Sequence, residues 1–142
     1  MTDRDLCQLV YVSRNRIPSG DPAAFEREVA NILKAARQRN PTIGVTGALL
    51  FTGDGFAQYL EGARAAVAEI YETISLDARH ADLVILDFGV IERRTFAAFA
   101  MARVGPLPER HREVVAGREG GIRAREAIDG LVAAMKAHAG DA

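Results

Sequence analysis

Apolar residues recur along this chain with two different periods, and the change between them predicts its secondary structure. Alternation of apolar and polar residues indicates strands, and apolar residues three or four positions apart indicate helices. The first pattern predicts strands at residues 6–13, 43–51, 56–61, 83–90 and 95–102. The nearly continuous apolar run at 83–90 favours a strand that is central or buried on both faces. The second pattern predicts a helix that starts at Pro22, after the N-cap residue Asp21, and another helix at residues 63–75.

These predicted elements follow one another in the order βαββαββ. That order is typical of an α+β fold, and we expect a ferredoxin-like arrangement with both helices on one face of a mixed five-stranded sheet. Turn-forming residues at 52–55 favour a hairpin between the second and third strands. A turn-rich loop is expected at residues 15–22.

Two polar side chains are predicted to point into the apolar interior of this sheet. Because side chains alternate along a strand, Tyr11 shares a face with Leu9. By the same rule, Gln58 shares a face with Phe56 and Leu60. A buried amide without a partner costs about 1–3 kcal/mol. We therefore expect Gln58 to meet a partner inside the protein.

Asn40 lies at the end of the apolar stripe of the first predicted helix. The stripe consists of Phe25, Val29, Ile32, Leu33 and Ala36. The next position on the stripe is Asn40, and Pro41 disfavours a helical conformation in the residue before it. We expect the helix to end there, with the Asn40 amide facing the interior.

Residues 106–142 are predicted to form a helical extension of a domain at residues 1–105. A short helix is expected at residues 109–116 and a clearer one at residues 123–139. The longer helix carries Ile128, Leu131, Val132 and Met135 on one face. We expect that face to cover the open side of the sheet or to contact a partner.

Composition is that of a globular domain and excludes several classes of protein. The chain has 142 residues, 49% of them hydrophobic, and a net charge of -1, which argues against a nucleic acid or an anionic membrane as the main partner. A membrane span is not expected, because no apolar run approaches the required length. The start of the chain lacks the order of a signal peptide, and Cys7 is the single cysteine, so we expect a cytoplasmic protein. The histidines are scattered, and no metal site is expected.

Five sequence blocks between Leu6 and Met101 form one recognisable set. They are LVYVS at 9–13, NPTIGVTGALL at 40–50, FAQYLEG at 56–62, DARH at 77–80 and RTFAAFAM at 94–101. Together they closely resemble the BLUF family, blue-light sensors that bind FAD. Each block alone has an ordinary structural explanation, such as core packing or a helix end, but those explanations do not predict the ordered set.

The resemblance implies a place for the flavin and for the residues around it. The isoalloxazine ring is expected between the two helices, under the sheet, with Ile32 and Ile74 on either side of it. Gln58 is expected to bridge the flavin and the phenol of Tyr11, and Asn40 to bond the pyrimidine edge of the ring. Further positions match the phosphate side and the ribose side of the cofactor: Arg79 and His80.

The resemblance also implies the chemistry. Tyrosine can give an electron and a proton to the excited flavin, and the two ends of a glutamine amide differ as donor and acceptor. A rearrangement of Gln58 then reverses the hydrogen-bond pattern at the flavin and leaves a slightly red-shifted signalling state. Met101, beside the ring on the last predicted strand, is expected to pass the change to the sheet and the tail.

Two departures from the family pattern concern residues near the flavin. The family often has tryptophan where this chain has Phe99, and the chain contains no tryptophan at all. An exchange of tryptophan and methionine is therefore not expected here. The family also often has a serine four residues before the asparagine, where this chain has Ala36.

The leading hypothesis is a small flavin photoreceptor that is not an enzyme. It is expected to signal to a separate effector protein and to form a homodimer or a higher homo-oligomer through the open sheet face and the tail. The alternative is an acylphosphatase-type hydrolase of the same fold, which would use Asn40 and Arg79. An RNA-binding sheet is disfavoured by the neutral charge, and a family member that has lost its flavin is disfavoured by the retained Tyr11, Asn40 and Gln58. The choice between FAD and FMN stays open.

Overall fold

A computed structural model of the chain describes residues 5–15, 21–51, 55–104, 122–137 and 139. Its strands are β1 (Leu6–Asn15), β2 (Thr46–Phe51), β3 (Gly55–Ala63), β4 (His80–Val90) and β5 (Ala102–Val104). Its helices are α1 (Pro22–Arg39), α2 (Arg64–Ser75), α3 (Ile122–Ala137) and a short 3-10 helix at Asn40–Ile43. The predicted helix at 109–116 and most of the predicted hairpin turn and of the first loop lie outside the described residues.

The five strands form one mixed sheet in the order β4-β1-β3-β2-β5. β1 pairs antiparallel with β3 and β4, β2 pairs antiparallel with β3, and β2 pairs parallel with β5. The crossovers of α1 and α2 link strands that are separated in the sheet by one neighbour, as in a ferredoxin-like fold. The predicted α+β class, element order and mixed five-stranded sheet are confirmed.

The sheet separates two apolar clusters. The helix-side cluster lies against α1 and α2; its buried members are Leu9, Tyr11, Val29, Leu33, Ala36, Val45, Leu49, Phe51, Phe56, Leu60, Val67, Ile70, Ile74 and Met101. The tail-side cluster lies on the other face; its buried members are Val10, Val12, Ala48, Leu50, Ala57, Tyr59, Phe96, Ala102, Val104 and Met135. Met135 belongs to α3, so the tail covers part of the second face, as expected. The side chains of Ile128 and Leu131 lie outside the described part of the chain.

Helix α1 begins and ends at the residues that the sequence indicates. The Asp21 carboxylate accepts a hydrogen bond of 3.0 Å from the Ala23 amide, and Pro22 occupies the first turn, where its missing N–H is harmless. At the other end the chain tightens into the 3-10 helix, which stops at Gly44 with a φ of 68°. That left-handed conformation suits glycine because it has no Cβ. The prediction that β2 starts at residue 43 is therefore wrong by three residues.

Two further strand predictions are wrong. The apolar run at 83–90 belongs to β4, which lies at an edge of the sheet rather than in its centre, with Ile85 43% and Val90 57% exposed. The run is apolar because both of its faces are partly covered: Leu83 packs against the helix-side cluster and Val84 against the tail-side cluster.

The predicted last strand at 95–102 is also absent. Residues 91–101, all of them described, contain no helix or strand, and β5 begins only at Ala102. The reason is that their backbone groups bond to side chains and to isolated backbone groups instead of a neighbouring strand. The Thr95 and Phe96 amides, for example, donate to the Glu61 carboxylate.

Candidate functional site

The candidate site begins with a pair of buried polar side chains on adjacent strands. Tyr11 of β1 lies directly opposite Gln58 of β3 in the antiparallel register, so both side chains point to the same face. Tyr11 is 0% and Gln58 3% exposed. The Tyr11 hydroxyl donates a hydrogen bond to Gln58 Oε1. The predicted inward orientation of both residues is confirmed, and the phenol is the partner of the amide oxygen.

The other end of the Gln58 amide meets a weak acceptor. Its Nε2 donates to the Met101 sulfur at 3.5 Å, and Met101 is 1% exposed. A thioether accepts a hydrogen bond only weakly. The amide is therefore held firmly at its oxygen and loosely at its nitrogen, which favours a group that has to change partners.

Aromatic rings surround the Tyr11 phenol. Tyr71 of α2 lies edge-on at 5.6 Å between ring centroids, and His80 lies at 6.1 Å. Burial raises the pKa of Tyr11 far above its ordinary value of 10. The hydroxyl therefore keeps its proton throughout the physiological pH range, and it donates that proton to Gln58.

A cleft of about 60 Å³ lies beside this pair, between α1 and α2. It is lined by Ile32, Ala35, Ala36, Arg39, Gln58, Thr73, Ile74, Asp77, Arg79 and His80. Five of the residues proposed from the sequence are thus brought to one cavity. Ile32 and Ile74 come from different helices, as the expectation of two apolar walls requires, and Ala36 leaves one wall without a hydroxyl.

Asn40 is completely buried, as predicted, but its amide bonds within the protein. Its Nδ2 donates to the Ala100 carbonyl at 2.9 Å, and its Oδ1 accepts from Arg39 Nε at 3.1 Å. Asn40 thereby ties the end of α1 to the segment that precedes β5. Whether it also bonds the ring of a cofactor stays a prediction.

Arg39 lines the cleft and was missed by the sequence reasoning. Burial lowers the pKa of Arg39, and the nearby Tyr11 raises it by a smaller amount. A signal for Arg39 was present, since it lies seven residues after Ile32 and three after Ala36, on the inward side of α1. The stripe was continued from Ala36 by four residues to Asn40, and the position three residues after Ala36 was left out.

Arg79 lies at the cleft and forms ion pairs with two carboxylates. Its guanidinium bonds Asp77 at 2.7 Å and Glu28 of α1 at 3.4 Å. The hydrogen bond from Arg79 holds the pKa of Asp77 below its usual value. Asn40 and Arg79, the two donors of the acylphosphatase-type alternative, thus each bond other groups.

His80 is an interior residue, with only 7% of its surface exposed. Its Nδ1 lies 2.8 Å from the Ser13 hydroxyl, and its ring lies 4.5 Å from that of Phe56. Burial lowers the pKa of His80 to about 4. The imidazole is therefore neutral at physiological pH and contributes hydrogen bonds rather than charge to this wall of the cleft.

Met101 and Phe99 lie on opposite sides of the sheet. Met101 is a member of the helix-side cluster beside Gln58, whereas Phe99 packs against the tail-side cluster. In the absence of tryptophan from this chain, methionine is the side chain that lies next to the amide.

The described residues contain neither a metal site nor a membrane-spanning helix. No group of three or more His, Cys, Asp or Glu side chains there could hold a metal ion. None of the helices that the structure describes is long and apolar enough to cross a membrane.

Comparison with known proteins gives the same family for most of the chain. Residues 6–102 match the BLUF family, described as sensors of blue-light using FAD. The blue light- and temperature-regulated antirepressor BluF of Escherichia coli (strain K12) is 34% identical over 96 residues, which are 68% of this chain and 23% of that protein. The photoactivated adenylate cyclase subunit beta of Euglena longa is 31% identical over 96 residues, or 68% of this chain and 11% of that protein. The chain thus spans less than a quarter of the length of these two curated relatives.

A solved structure of similar length has the same fold. The dark-state structure of BlrB, a BLUF protein, superposes with a TM-score of 0.79 at 31% identity. The match covers 96% of this chain and 98% of that one, so it includes the region of α3.

Proposed function

This chain belongs to the BLUF family, the sensors of blue light using FAD, and on that premise we propose that it uses the Tyr11–Gln58 pair as a light-driven switch for another protein. BLUF domains bind a flavin. The observation that carries the proposal is the buried line from the Tyr11 hydroxyl through the Gln58 amide to the Met101 sulfur, at the wall of the cleft between α1 and α2.

The residues around the cleft suit a flavin. Ile32 and Ile74 offer apolar surfaces on two helices, as a flat aromatic ring requires. Gln58 presents an amide at the cleft wall, and Arg39 supplies donors at the end of α1.

FAD is the flavin that we propose. Arg79 lies at the cleft, and a guanidinium suits the phosphates of a nucleotide tail. If phosphate oxygens replaced the carboxylates of Asp77 and Glu28 as its partners, the Arg79 cation would stay paired. Neutral His80 suits a ribose hydroxyl, because it can donate or accept a hydrogen bond without adding charge.

The residues of the pair have distinct tasks in the switch. When bound, the flavin would supply the blue-light absorption and the excited-state electron acceptor. Tyr11 would be the electron donor, since its hydroxyl bonds the Gln58 amide at the cleft wall, and its raised pKa keeps the proton on Oη until the transfer. Transfer of both an electron and the Oη proton from Tyr11 to the flavin would remove the hydrogen bond that fixes Gln58 Oε1. The amide is then free to rearrange, because its remaining bond to the Met101 sulfur is weak. The buried environment excludes water, which would otherwise replace the lost partner. The return of both the electron and the proton to Tyr11 would restore the flavin and the phenol.

The output is proposed to be a protein–protein signal rather than a reaction of this chain. Support comes from the family and from the BluF relative, whose name describes an antirepressor. We also propose self-association. The exposed edge of β4, with Ile85 and Val90, is a surface that a second copy could cover. The tail-side face is partly occupied by α3, which leaves less of the open sheet for that purpose than the sequence indicated.

Absorption spectroscopy of the purified protein tests the proposal. The protein is expected to be yellow, with a flavin band that shifts slightly to the red under blue light and relaxes in the dark. Tyr11→Phe and Gln58→Leu are expected to keep the flavin and to lose the reversible shift. Sedimentation in the dark and under illumination then compares self-association in the switching and non-switching proteins.

Tyr59→Phe is the matched control. Tyr59 follows Gln58 on β3 and is as deeply buried as Tyr11. Its hydroxyl, however, lies on the tail-side face and donates to Gln8 Oε1 at 2.7 Å. This variant is expected to switch fully. A colourless protein that takes up no flavin, or a full spectral shift in Tyr11→Phe or Gln58→Leu, would contradict the proposal.

A further inference from the structure

Residues 92–101, the connecting segment, are held in place without regular secondary structure. Phe96 and Met101 are each only 1% exposed, so the segment places one side chain near its middle and one at its end in the interior. A segment without strand or helix has to satisfy its backbone polar groups through side chains or isolated bonds. The partners of those groups therefore determine where Met101 lies.

Glu61 fixes the first part of the connecting segment. Its carboxylate is 0% exposed and accepts three hydrogen bonds of 2.7 Å each. Oε1 accepts from the Thr95 amide, and Oε2 accepts from the Phe96 amide and from the Thr46 hydroxyl. A buried carboxylate is costly unless hydrogen bonds or opposite charge compensate it, and these three donors do so.

Arg94 reinforces the same arrangement from within the connecting segment. It donates to the Thr46 hydroxyl at 2.8 Å and to the Glu61 carbonyl at 3.2 Å. A further bond of 2.7 Å reaches the Gly44 carbonyl. The cation therefore lies beside the buried carboxylate and links the segment to the start of β2.

The second part of the connecting segment is held from α1 and β2. Arg37 Nε donates to the Met101 carbonyl at 3.0 Å, and Asn40 donates to the Ala100 carbonyl. The Gly47 amide donates to the Phe99 carbonyl at 3.2 Å. These bonds bring the Met101 sulfur to the Gln58 amide.

Strand β3 therefore holds the connecting segment from both faces of the sheet. Gln58 and Glu61 are three residues apart on β3 and point to opposite faces. Gln58 contacts the end of the segment through Met101, and Glu61 holds its start through Thr95 and Phe96. Phe96 in turn packs in the tail-side cluster with Met135 of α3.

We propose that Glu61 is a positioning residue that couples the switch at Gln58 to the tail. Its carboxylate holds the connecting segment so that displacement of Met101 is transmitted to Phe96 and then to α3. The inference rests on the proposed function, because it assigns Glu61 to the output of that switch. Glu61 has no part in the chemistry of the Tyr11–Gln58 pair, since it lies on the other face of the sheet.

The test compares flavin-loaded wild type and Glu61→Gln by amide hydrogen exchange and by NMR of methionine methyl groups. Glutamine keeps the size of the side chain but replaces one acceptor oxygen by a donor that faces N–H groups. Dark-state exchange at residues 95–101 is expected to rise about tenfold to a hundredfold, as loss of a hydrogen bond to a charged group implies. The red shift is expected to keep its amplitude, while the light-induced change in the Met135 methyl signal is lost.

Thr46→Val is the matched control. It removes one donor to the carboxylate and one acceptor of Arg94, but leaves both amide bonds to the connecting segment and the bonds of Arg94 to the Glu61 and Gly44 carbonyls. Its exchange at residues 95–101 and its light-induced Met135 change are expected to stay close to wild type. Should Glu61→Gln fail to fold, Glu61→Asp retains the charge but draws the oxygens back from the amides, and the same two measurements apply to it.

Three results would overturn the inference. They are wild-type exchange at residues 95–101 in the Glu61 variant, an unchanged Met135 response to light, and loss of the red shift at full flavin occupancy. Failure of the proposed function is a separate result. If the wild type itself shows no red shift, the switch is disproved, whereas dark-state exchange still reports whether Glu61 positions the segment.

Discussion

His80 is expected to make the stability of this protein depend on pH in a defined window. The imidazole is 7% exposed and packs against Phe56 and Tyr11, and burial lowers its pKa to about 4 from an ordinary value of 6.5. Between these two values the unfolded chain binds a proton that the folded protein refuses. Stability is therefore full above about pH 6.5 and falls as the pH falls toward 4.

The size of the effect follows from the two pKa values. Each unit of difference corresponds to about 1.4 kcal/mol, so the full loss is about 3 kcal/mol once the pH is below both values. At pH 5 the unfolded imidazole is almost wholly protonated and the folded one almost wholly neutral. The loss between pH 8 and pH 5 is therefore about 2 kcal/mol.

Urea unfolding of wild type and His80→Gln across pH 5 to 8 measures this loss. Glutamine does not titrate and can still form a hydrogen bond with Ser13. The difference in unfolding free energy between the two proteins removes the contribution of groups that titrate in both. Asp77 does not interfere, since its pKa is lowered from 3.8 and its effect on stability falls below this range. Repeating the measurements at two concentrations of added flavin separates the pH dependence that comes from flavin binding from the pH dependence that comes from His80.

The expected result is a stability of the wild type that falls by about 2 kcal/mol more than that of the variant between pH 8 and pH 5. The variant is less stable at neutral pH, and only the change with pH bears on the reasoning. Parallel curves for the two proteins would refute it, because they would mean that the folded protein protonates His80 as readily as the unfolded chain does.

Two further predictions concern a tight contact in the sheet and the cation at the cleft. Gly47→Ala is expected to destabilise the protein by more than about 3 kcal/mol in urea unfolding, because a Cβ there would lie 2.0 Å from the Tyr59 carbonyl oxygen. Gly89→Ala, where a Cβ meets no atom within 4 Å, is its control, and equal losses in the two variants would contradict the packing argument. Arg79→Ala is expected to cost less than about 1 kcal/mol of stability, since its ion pairs are partly exposed. In calorimetric titration the same variant is expected to weaken binding of FAD about tenfold and leave riboflavin unaffected; equal weakening of both would rule out a phosphate contact.

The part of the fold predicted correctly is the part that periodicity controls. The period of two places Tyr11 and Gln58 on one face of the sheet, and the register then sets them opposite each other. The apolar stripe of α1 likewise predicts the burial of Asn40 at its end. In both cases the signal is local and depends on the spacing of apolar residues.

The errors arise where distant side chains decide the backbone. Residues 95–101 are rich in apolar residues and resemble a strand, yet their backbone groups bond to Glu61, Asn40 and Arg37 from elsewhere in the chain. Hydrophobic patterning contains no information about such partners. The edge position of β4 was missed because partial cover on two faces produces the same apolar run as complete burial. Arg39 was missed because the stripe was followed only in the step of four residues that leads from Ala36 to Asn40.

The two-sided sheet gives this protein separate surfaces on which substitutions can accumulate. Residues of the helix-side cluster must suit one cofactor cleft and are restricted together. Residues of the tail-side cluster have only to match whatever segment follows β5, here α3. A different following segment can therefore be accommodated by substitutions at positions such as Ala48, Ala57 or Val104, none of which touches the photochemical face. This separation provides a physical reason why the same domain can occur within proteins many times its length.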